Sequence, residues 1–228
     1  MDLVEALRTT GAARQFLPDP VPDDLLASVL DNARFAPSGG NRQGWRVVVI
    51  RDRAIRRQLR DLYLEGWYQY LAMGAAGLVP WAPVTDKSAE AAARSHAPEF
   101  AAAAAAGEGG FAEHLDEVPV LLLVIADLRA LAAVDRDLDR YTLVGGASIY
   151  PFCWSVLLAA RAAGLGGVMT TMLVTREDEV RKVVGMPAET VVAGLIVLGF
   201  PEQQPHRLKR AAVNEFTTID RLDGPAFG

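Results

Sequence analysis

Apolar residues recur along this chain in two rhythms. After Asp23 and Asp24, Leu25, Leu26, Val29, Leu30 and Ala33 share one face at helical spacing, and Pro37 predicts the close of that helix. Before it, Asp2 followed three residues later by Glu5 has the form of a capping box. A short helix is predicted there, ending near Thr9-Thr10-Gly11, and Pro18 through Pro22 predict an extended connector. The second rhythm is continuous. Residues 45–50, Pro119 to Ala126 and Val191 to Leu198 run apolar residue after apolar residue, which predicts strands buried on both faces. Val168 to Met172 predicts a shorter strand. Helical spacing returns over 54–76, with Ile55, Leu59, Leu62 and Tyr63 on one face, and over a long apolar stretch at 147–163 closed by Gly164. Thr175 with Asp178 predicts the start of a last helix, and Gly185 with Pro187 its end.

Between 65 and 116 the pattern weakens. Ala101 to Ala106 is an alanine run, followed by Gly107-Glu108-Gly109-Gly110. Alanine favours helix but carries little packing information. This stretch reads as a helical insertion at about 65–116 that would cover a site, bringing Trp67, Tyr68, Tyr70, Trp81 and Phe100 to it. No repeat and no linker divides the rest, so 1–228 is expected to be a single domain. Strands separated by long helical stretches of uneven length predict an α+β fold, a central mixed sheet wrapped by helices.

Composition narrows the function. Hydrophobic residues make up 51% of 228 and mean hydropathy is +0.16. No apolar run approaches the roughly 20 residues of a bilayer-spanning helix, so the surplus belongs in a core or a subunit interface. With a net charge of −5, nothing suggests the clustered basic face of a nucleic-acid binder. Arg51, Arg53, Arg56, Arg57 and Arg60 do gather, but Asp52 and Asp61 interleave, as on a solvated helix face. The single cysteine, Cys153, excludes an internal disulfide, and its neighbours Phe152 and Trp154 mark it for packing. The acidic start, Met1 to Glu5, lacks a signal-peptide pattern, and a cytoplasmic location is expected. His96, His114 and His206 are scattered, and no Gly-x-Ser-x-Gly elbow is present. No metal site and no protein nucleophile is expected; that leaves chemistry borrowed from an organic cofactor.

Four stretches suit that task. Ala36-Pro37-Ser38-Gly39-Gly40-Asn41-Arg42-Gln43-Gly44-Trp45 places a hydroxyl, an amide and bare backbone N–H groups in one polar loop. Gly164-Leu165-Gly166-Gly167 follows a helix and opens a strand, the reverse of a dinucleotide fingerprint; a tight turn setting Met169-Thr170-Thr171 beside a ligand fits better. Arg14, in an irregular stretch, and Arg207, Lys209 and Arg210, after the last strand, are donors for a phosphate or for an anionic ring edge.

These stretches, in order, resemble the nitroreductase family of FMN flavoproteins. Arg14-Gln15-Phe16 with Pro18 and Pro20-Val21, the 36–45 loop, Leu157 to Gly166, and Leu198-Gly199-Phe200-Pro201 with Arg210 downstream carry the resemblance along nearly the whole chain outside 65–116. It implies an α+β homodimer with a largely antiparallel sheet and FMN in the subunit interface. It implies that Arg14 lies at the flavin pyrimidine edge. Pro37, Ser38, Gly39 and Asn41 would contact the ring and ribityl chain. The backbone of Met169, Thr170 and Thr171 would lie near N5, and Arg210 with Lys209 would hold the phosphate. Trp67, Tyr68 and Tyr70 are the expected substrate pocket. Two positions depart from the family pattern: Thr10-Gly11-Ala12 replaces an arginine and serine, and Trp154-Ser155 replaces a Gln-Asn pair. The implied activity passes hydride from NADH or NADPH through flavin N5 to a small-molecule electron acceptor such as a nitroaromatic or quinone, with no nucleic-acid or membrane partner. The alternatives are a same-fold dehydrogenase or dehalogenase, or a flavin-binding storage or sensing protein without turnover.

Overall fold

A computed structural model of the chain describes residues 1–228, the side chain of Glu108 excepted. Among the described residues the strands are β1 (Trp45–Ile50), β2 (Val120–Asp127), β3 (Gly166–Thr170) and β4 (Thr190–Gly199). They form one antiparallel sheet in the order β1-β2-β4-β3. The helices are α1 (Leu3–Thr9), α2 (Asp23–Ala33), α3 (Arg53–Ala75), α4 (Lys87–Arg94), α5 (Ala97–Ala103), α6 (Tyr150–Ala162) and α7 (Glu177–Val184). No described helix is long and apolar enough to cross a membrane.

The continuous apolar runs of β2 and β4 are explained by their central place. Leu122, Val124, Ile196 and Leu198 face α2 and α6 on one side of the sheet. Leu121, Leu123, Leu195 and Val197 face α3 and α7 on the other. Each leucine so enclosed contributes about 1.5–3 kcal/mol. β1 departs from expectation: it is an edge strand, with Arg46 exposed and Val47 and Val48 only partly covered. Both faces are nevertheless packed, Trp45 and Val47 into the core on one side and Val48 and Ile50 into the core on the other, though less completely than in the central strands.

Local chemistry moves several boundaries. Asp2 caps α1 by accepting from the Glu5 N–H at 2.8 Å, as the pattern predicts. α2 ends at Ala33, four residues before Pro37, because Arg34 already caps it. α6 begins at Tyr150, after a 3-10 turn over Val144–Ser148. β3 ends at Thr170, so Met172 belongs to the turn that follows. Thr175 does not cap α7; its hydroxyl donates to the Met172 carbonyl, and Glu177, Asp178 and Glu179 supply first-turn charge instead. α3 runs unbroken through residue 65, so an insertion boundary there falls inside a helix. The arginine cluster is only partly a solvated face: Arg56 is half-buried and donates to the Val118 carbonyl, and Arg60 pairs with Asp116 at 2.9 Å.

The segment that precedes α2 is stitched to β3. Ala12 forms a parallel bridge with Gly167, and the Ala13 N–H donates to the Gly167 carbonyl at 3.0 Å. Gly166 makes this approach feasible: a Cβ there would lie 2.8 Å from the Ala13 Cβ and 2.9 Å from the Pro201 Cβ. Gly164, at φ +82°, ends α6 in the left-handed conformation that glycine adopts without strain.

Cys153 is fully enclosed in the α6 core, and burial pushes its thiol up to about 12. It is therefore a neutral packing group at physiological pH. We expect no reaction with a thiol reagent such as dithionitrobenzoate in the native protein, and one equivalent after unfolding. Rapid native labelling would show that the α6 core opens.

Candidate functional site

The stitch beside β3 puts Arg14 at the edge of the sheet. With Met169, Thr170, Thr171, Tyr63, Trp67 and Tyr70 it borders a cavity of about 300 Å³. Among the described residues, no strand pairs with the outer edge of Met169 and Thr170, so their backbone groups on that side are outside any ladder. A flat polar ring laid there would meet a guanidinium and free backbone donors and acceptors together.

α3 roofs this cavity. It approaches closely because of Gly66, where a Cβ would come within 2.7 Å of the Thr175 hydroxyl. Tyr63 lies at its inner end, with the Thr170 hydroxyl donating to its oxygen at 3.3 Å. Burial holds the Tyr63 phenol above its ordinary range, against the opposing effects of Thr170 and the Arg14 charge. It stays protonated at neutral pH. From Tyr63 the rings continue outward, Trp67 at 6.2 Å, Tyr70 at 5.4 Å and Trp81 at 6.5 Å between successive centroids. Trp81 sits at φ +52°, an unfavourable conformation for a bulky residue, which its stacking on Tyr70 helps to hold.

Tyr68 turns away from that series. It borders an adjoining cavity of about 330 Å³, together with Phe100, Ala103, Ala104 and Glu113. Arg14, Trp67 and Phe111 are common to both spaces. Burial and the neighbouring Glu113 charge hold the Tyr68 phenol above its ordinary range.

The basic tail reaches the same edge of the molecule. Leu208 packs against Gly11, and the Gln204 amide donates to the Thr9 carbonyl at 3.2 Å. Between tail and Arg14 lies an open recess lined by Gln15, Gln203 and Gln204. Lys209 and Arg210 are exposed, and the Arg210 guanidinium donates to the Lys209 carbonyl.

Pro37, Ser38, Gly39 and Asn41 are not brought to Arg14. Their loop leads into β1, at the opposite edge of the sheet from β3. It is tightly built. The Ser38 hydroxyl accepts from the Gln43 N–H at 2.9 Å, and the Gly39 N–H donates to the buried Ser148 hydroxyl at 3.0 Å. Gly40, Asn41 and Gln43 all have positive φ, at 61°, 53° and 50°. Left-handed conformations at Asn41 and Gln43 each store strain on the order of 1 kcal/mol, which concentrates at functional sites. Within one chain the expected site residues thus form two groups, one around Arg14 and one around Asn41. Tyr63, Phe111 and Glu113 line these cavities and Ser148 holds the loop, and none of the four was singled out from the sequence as a candidate site residue. Tyr63 was visible only as a member of the buried helix face, and nothing in the pattern marked the other three.

A model of the family described as Nitroreductase family matches residues 7–200. The NADH dehydrogenase of Thermus thermophilus is 31% identical over 211 residues, 91% of this chain and 92% of that protein. Human iodotyrosine deiodinase 1 is 25% identical over 203 residues, 89% of this chain but only 62% of the deiodinase. A crystal structure of oxidized iodotyrosine deiodinase bound to FMN and 3-iodo-L-tyrosine superimposes with a TM-score of 0.64 at 22% identity, over 97% of this chain and 99% of that one; at this identity the likeness concerns the fold alone.

Ser148→Ala removes the acceptor that holds Gly39. We expect the strained loop to relax and stability to fall by about 1 kcal/mol, read as a lower denaturant midpoint, with faster hydrogen exchange confined to residues 38–43. Unchanged exchange there would mean that the loop holds its shape without Ser148.

Proposed function

The chain belongs to the nitroreductase family, and from that premise we propose that it is an FMN-dependent oxidoreductase. It would take reducing equivalents from NADH or NADPH and deliver them to a small organic acceptor, such as a nitroaromatic or a quinone, in the cytoplasm. One observation carries this reading: a guanidinium and an unpaired strand edge border a single aromatic-walled cavity.

The donor set fits FMN. Arg14 matches the pyrimidine edge of a flavin, and the free backbone of Met169 to Thr171 matches a planar ring with alternating donors and acceptors. Lys209 and Arg210 match a phosphate monoester. Among the described residues the buried Gln204 carbonyl oxygen has no partner, and Gln204 lines the recess between these groups, where a hydroxylated chain would supply donors. Bound there, FMN would supply reversible two-electron chemistry between the nicotinamide donor and the acceptor.

The residues of the chain do the rest. Arg14 would place a cation at the pyrimidine edge, where it would offset negative charge by about 1–3 kcal/mol. Tyr63 presents a phenol held in its protonated form. Trp67 and Tyr70 exclude water from the outer side, and we read the 76–116 excursion as their cover. No protein acid or base is required.

The separated loop implies a second copy. We assign Pro37, Ser38, Gly39 and Asn41 to the site of a partner subunit, each site using Arg14 of one chain and Asn41 of the other. The exposure of Leu3, Val4 and Leu7 on α1 and of Tyr150 and Trp154 on α6 supports a homodimer in which α6 is a main contact. A second reading, reductive removal of halogen from an aromatic ring, draws support from the deiodinase relatives. It uses the same pocket and differs only in the acceptor.

The cofactor is tested by heat release and chromatography, with FMN expected; FAD, or no flavin after incubation with FMN, would overturn the reading. Arg210→Ala should weaken FMN retention more than Arg14→Ala, since phosphate charge is the same in both redox states. Arg14→Ala should lower the reduction potential more, since its cation acts mainly on the reduced form. Equal effects of the two variants on both quantities would remove this division of roles.

Trp154 is 40% exposed on α6, away from the core-facing Phe152, Cys153 and Val156. Trp154→Glu should therefore yield a folded monomer without flavin, by light scattering, circular dichroism and absorbance. A monomer that retains stoichiometric FMN would refute the shared site.

A further inference from the structure

The second cavity carries chemistry that the flavin reading does not use. Arg14 and Glu113 are the charged residues that line it, and Arg14 also borders the first cavity whereas Glu113 does not. The two charges thus mark different ends: Arg14 stands at the wall common to both spaces, Glu113 away from it. The Glu113 carboxylate accepts from the Gly110 N–H at 2.6 Å, which fixes one oxygen. It is half-buried and makes no ion pair among the described residues. The remaining walls are Trp67, Tyr68, Phe100 and Phe111, with the small side chains of Ala103 and Ala104 leaving the space between them open.

We propose that this cavity selects an aromatic acceptor bearing a single ammonium group, held by Glu113, with its ring toward Trp67 and Phe111. The assignment to an acceptor rests on the flavin reading above; the selection for cation and ring rests on the cavity itself. A half-buried carboxylate favours a cationic donor over a neutral one. Aromatic walls add attraction for the same charge through their ring faces. About 330 Å³ suits one substituted ring rather than a fused polycycle. Orientation follows from the charges. An ammonium at Glu113 sends the opposite end of the molecule toward the wall shared with the Thr170 cavity, where the reducible substituent belongs. Arg14 at that wall repels the reversed pose. An acidic arene is disfavoured at Glu113 by like charge. An aromatic amino acid finds no cation for its carboxylate beside Glu113, because Arg14 stands at the other end.

The probes are para-nitrobenzylamine, para-nitrobenzyl alcohol and para-nitrobenzoate, titrated calorimetrically into the purified full-length protein at neutral pH, with flavin content measured on the same samples. We expect the amine to bind about tenfold more tightly than the alcohol, and the benzoate most weakly. Glu113→Gln should bring amine and alcohol to equal affinity. Ala104→Leu, which narrows the cavity without touching its charge, should weaken amine and alcohol alike; it decides the location if the Glu113 variant does not fold. Equal binding of amine and alcohol to the native protein, a preference that survives Glu113→Gln, or no measurable binding of the amine would each overturn the proposal. Flavin content reports separately on the cofactor: a protein without flavin that still prefers the amine retains the cation site and loses the oxidoreductase reading.

Discussion

A single backbone hydrogen bond, Ala13 N–H to Gly167 carbonyl, governs the geometry of the site. Arg14 is exposed and long, and alone it would sample many positions at a rotamer-entropy cost of up to ~2 kcal/mol when fixed. Anchoring its preceding residue to the first turn of β3 confines it to one sheet edge. The anchor is possible only because Gly166 presents no side chain to Ala13 and Pro201. The same stitch continues outward, with the Leu17 N–H donating to Phe200 and the Glu202 N–H to Gln15, so the chain after β4 is drawn to the same edge. The basic tail thereby shares a side of the molecule with Arg14, although almost 200 residues of chain separate them.

The loop before β1 obeys the opposite logic. It is fixed by internal bonds and by Ser148, not by the cavity beside β3. Under the homodimer proposed above, a chain that stores backbone strain at Asn41 and Gln43 without using it in its own cavity is organised for contact with a second copy. Exposed apolar residues on α1 and α6 give the same indication, since water does not favour leaving them uncovered. Strain and exposure are independent costs, and one association could relieve both.

Much of the fold was legible because burial writes itself into sequence. β2 and β4 are apolar throughout since the sheet is covered on both sides, and their runs were located to within a residue or two. The same rule overstated β1, which packs into both cores through Trp45, Val47, Val48 and Ile50 but lies at a sheet edge where Arg46 faces solvent. Helix ends were less legible. Pro37 looked like the stop of α2, but a cap at Arg34 ended it earlier, and Thr175 spent its hydroxyl on Met172 instead of on α7. Site residues divide similarly. Arg14 and Met169 to Thr171, singled out by their motif stretches, border one cavity. Glu113 and Phe111 were invisible, because their position depends on how a segment of weak pattern folds back over α3.

That fold-back also explains the alanine run. α5 has seven residues, too few to be stable by helix propensity alone. It is held by packing against α3, and an ordinary packed helix would fill the space between them with side chains. Alanines keep the backbone helical while leaving the volume beside Tyr68 and Phe100 open. Low sequence complexity here is therefore compatible with a defined shape: Ala103 and Ala104 of the run border the void, and Arg14, Trp67, Tyr68 and Glu113, which give it its chemistry, lie on segments facing them. Replacement of these alanines by larger helix formers would leave the helix intact and remove the cavity, so selection on cavity volume and selection on helix stability act on the same positions in different directions.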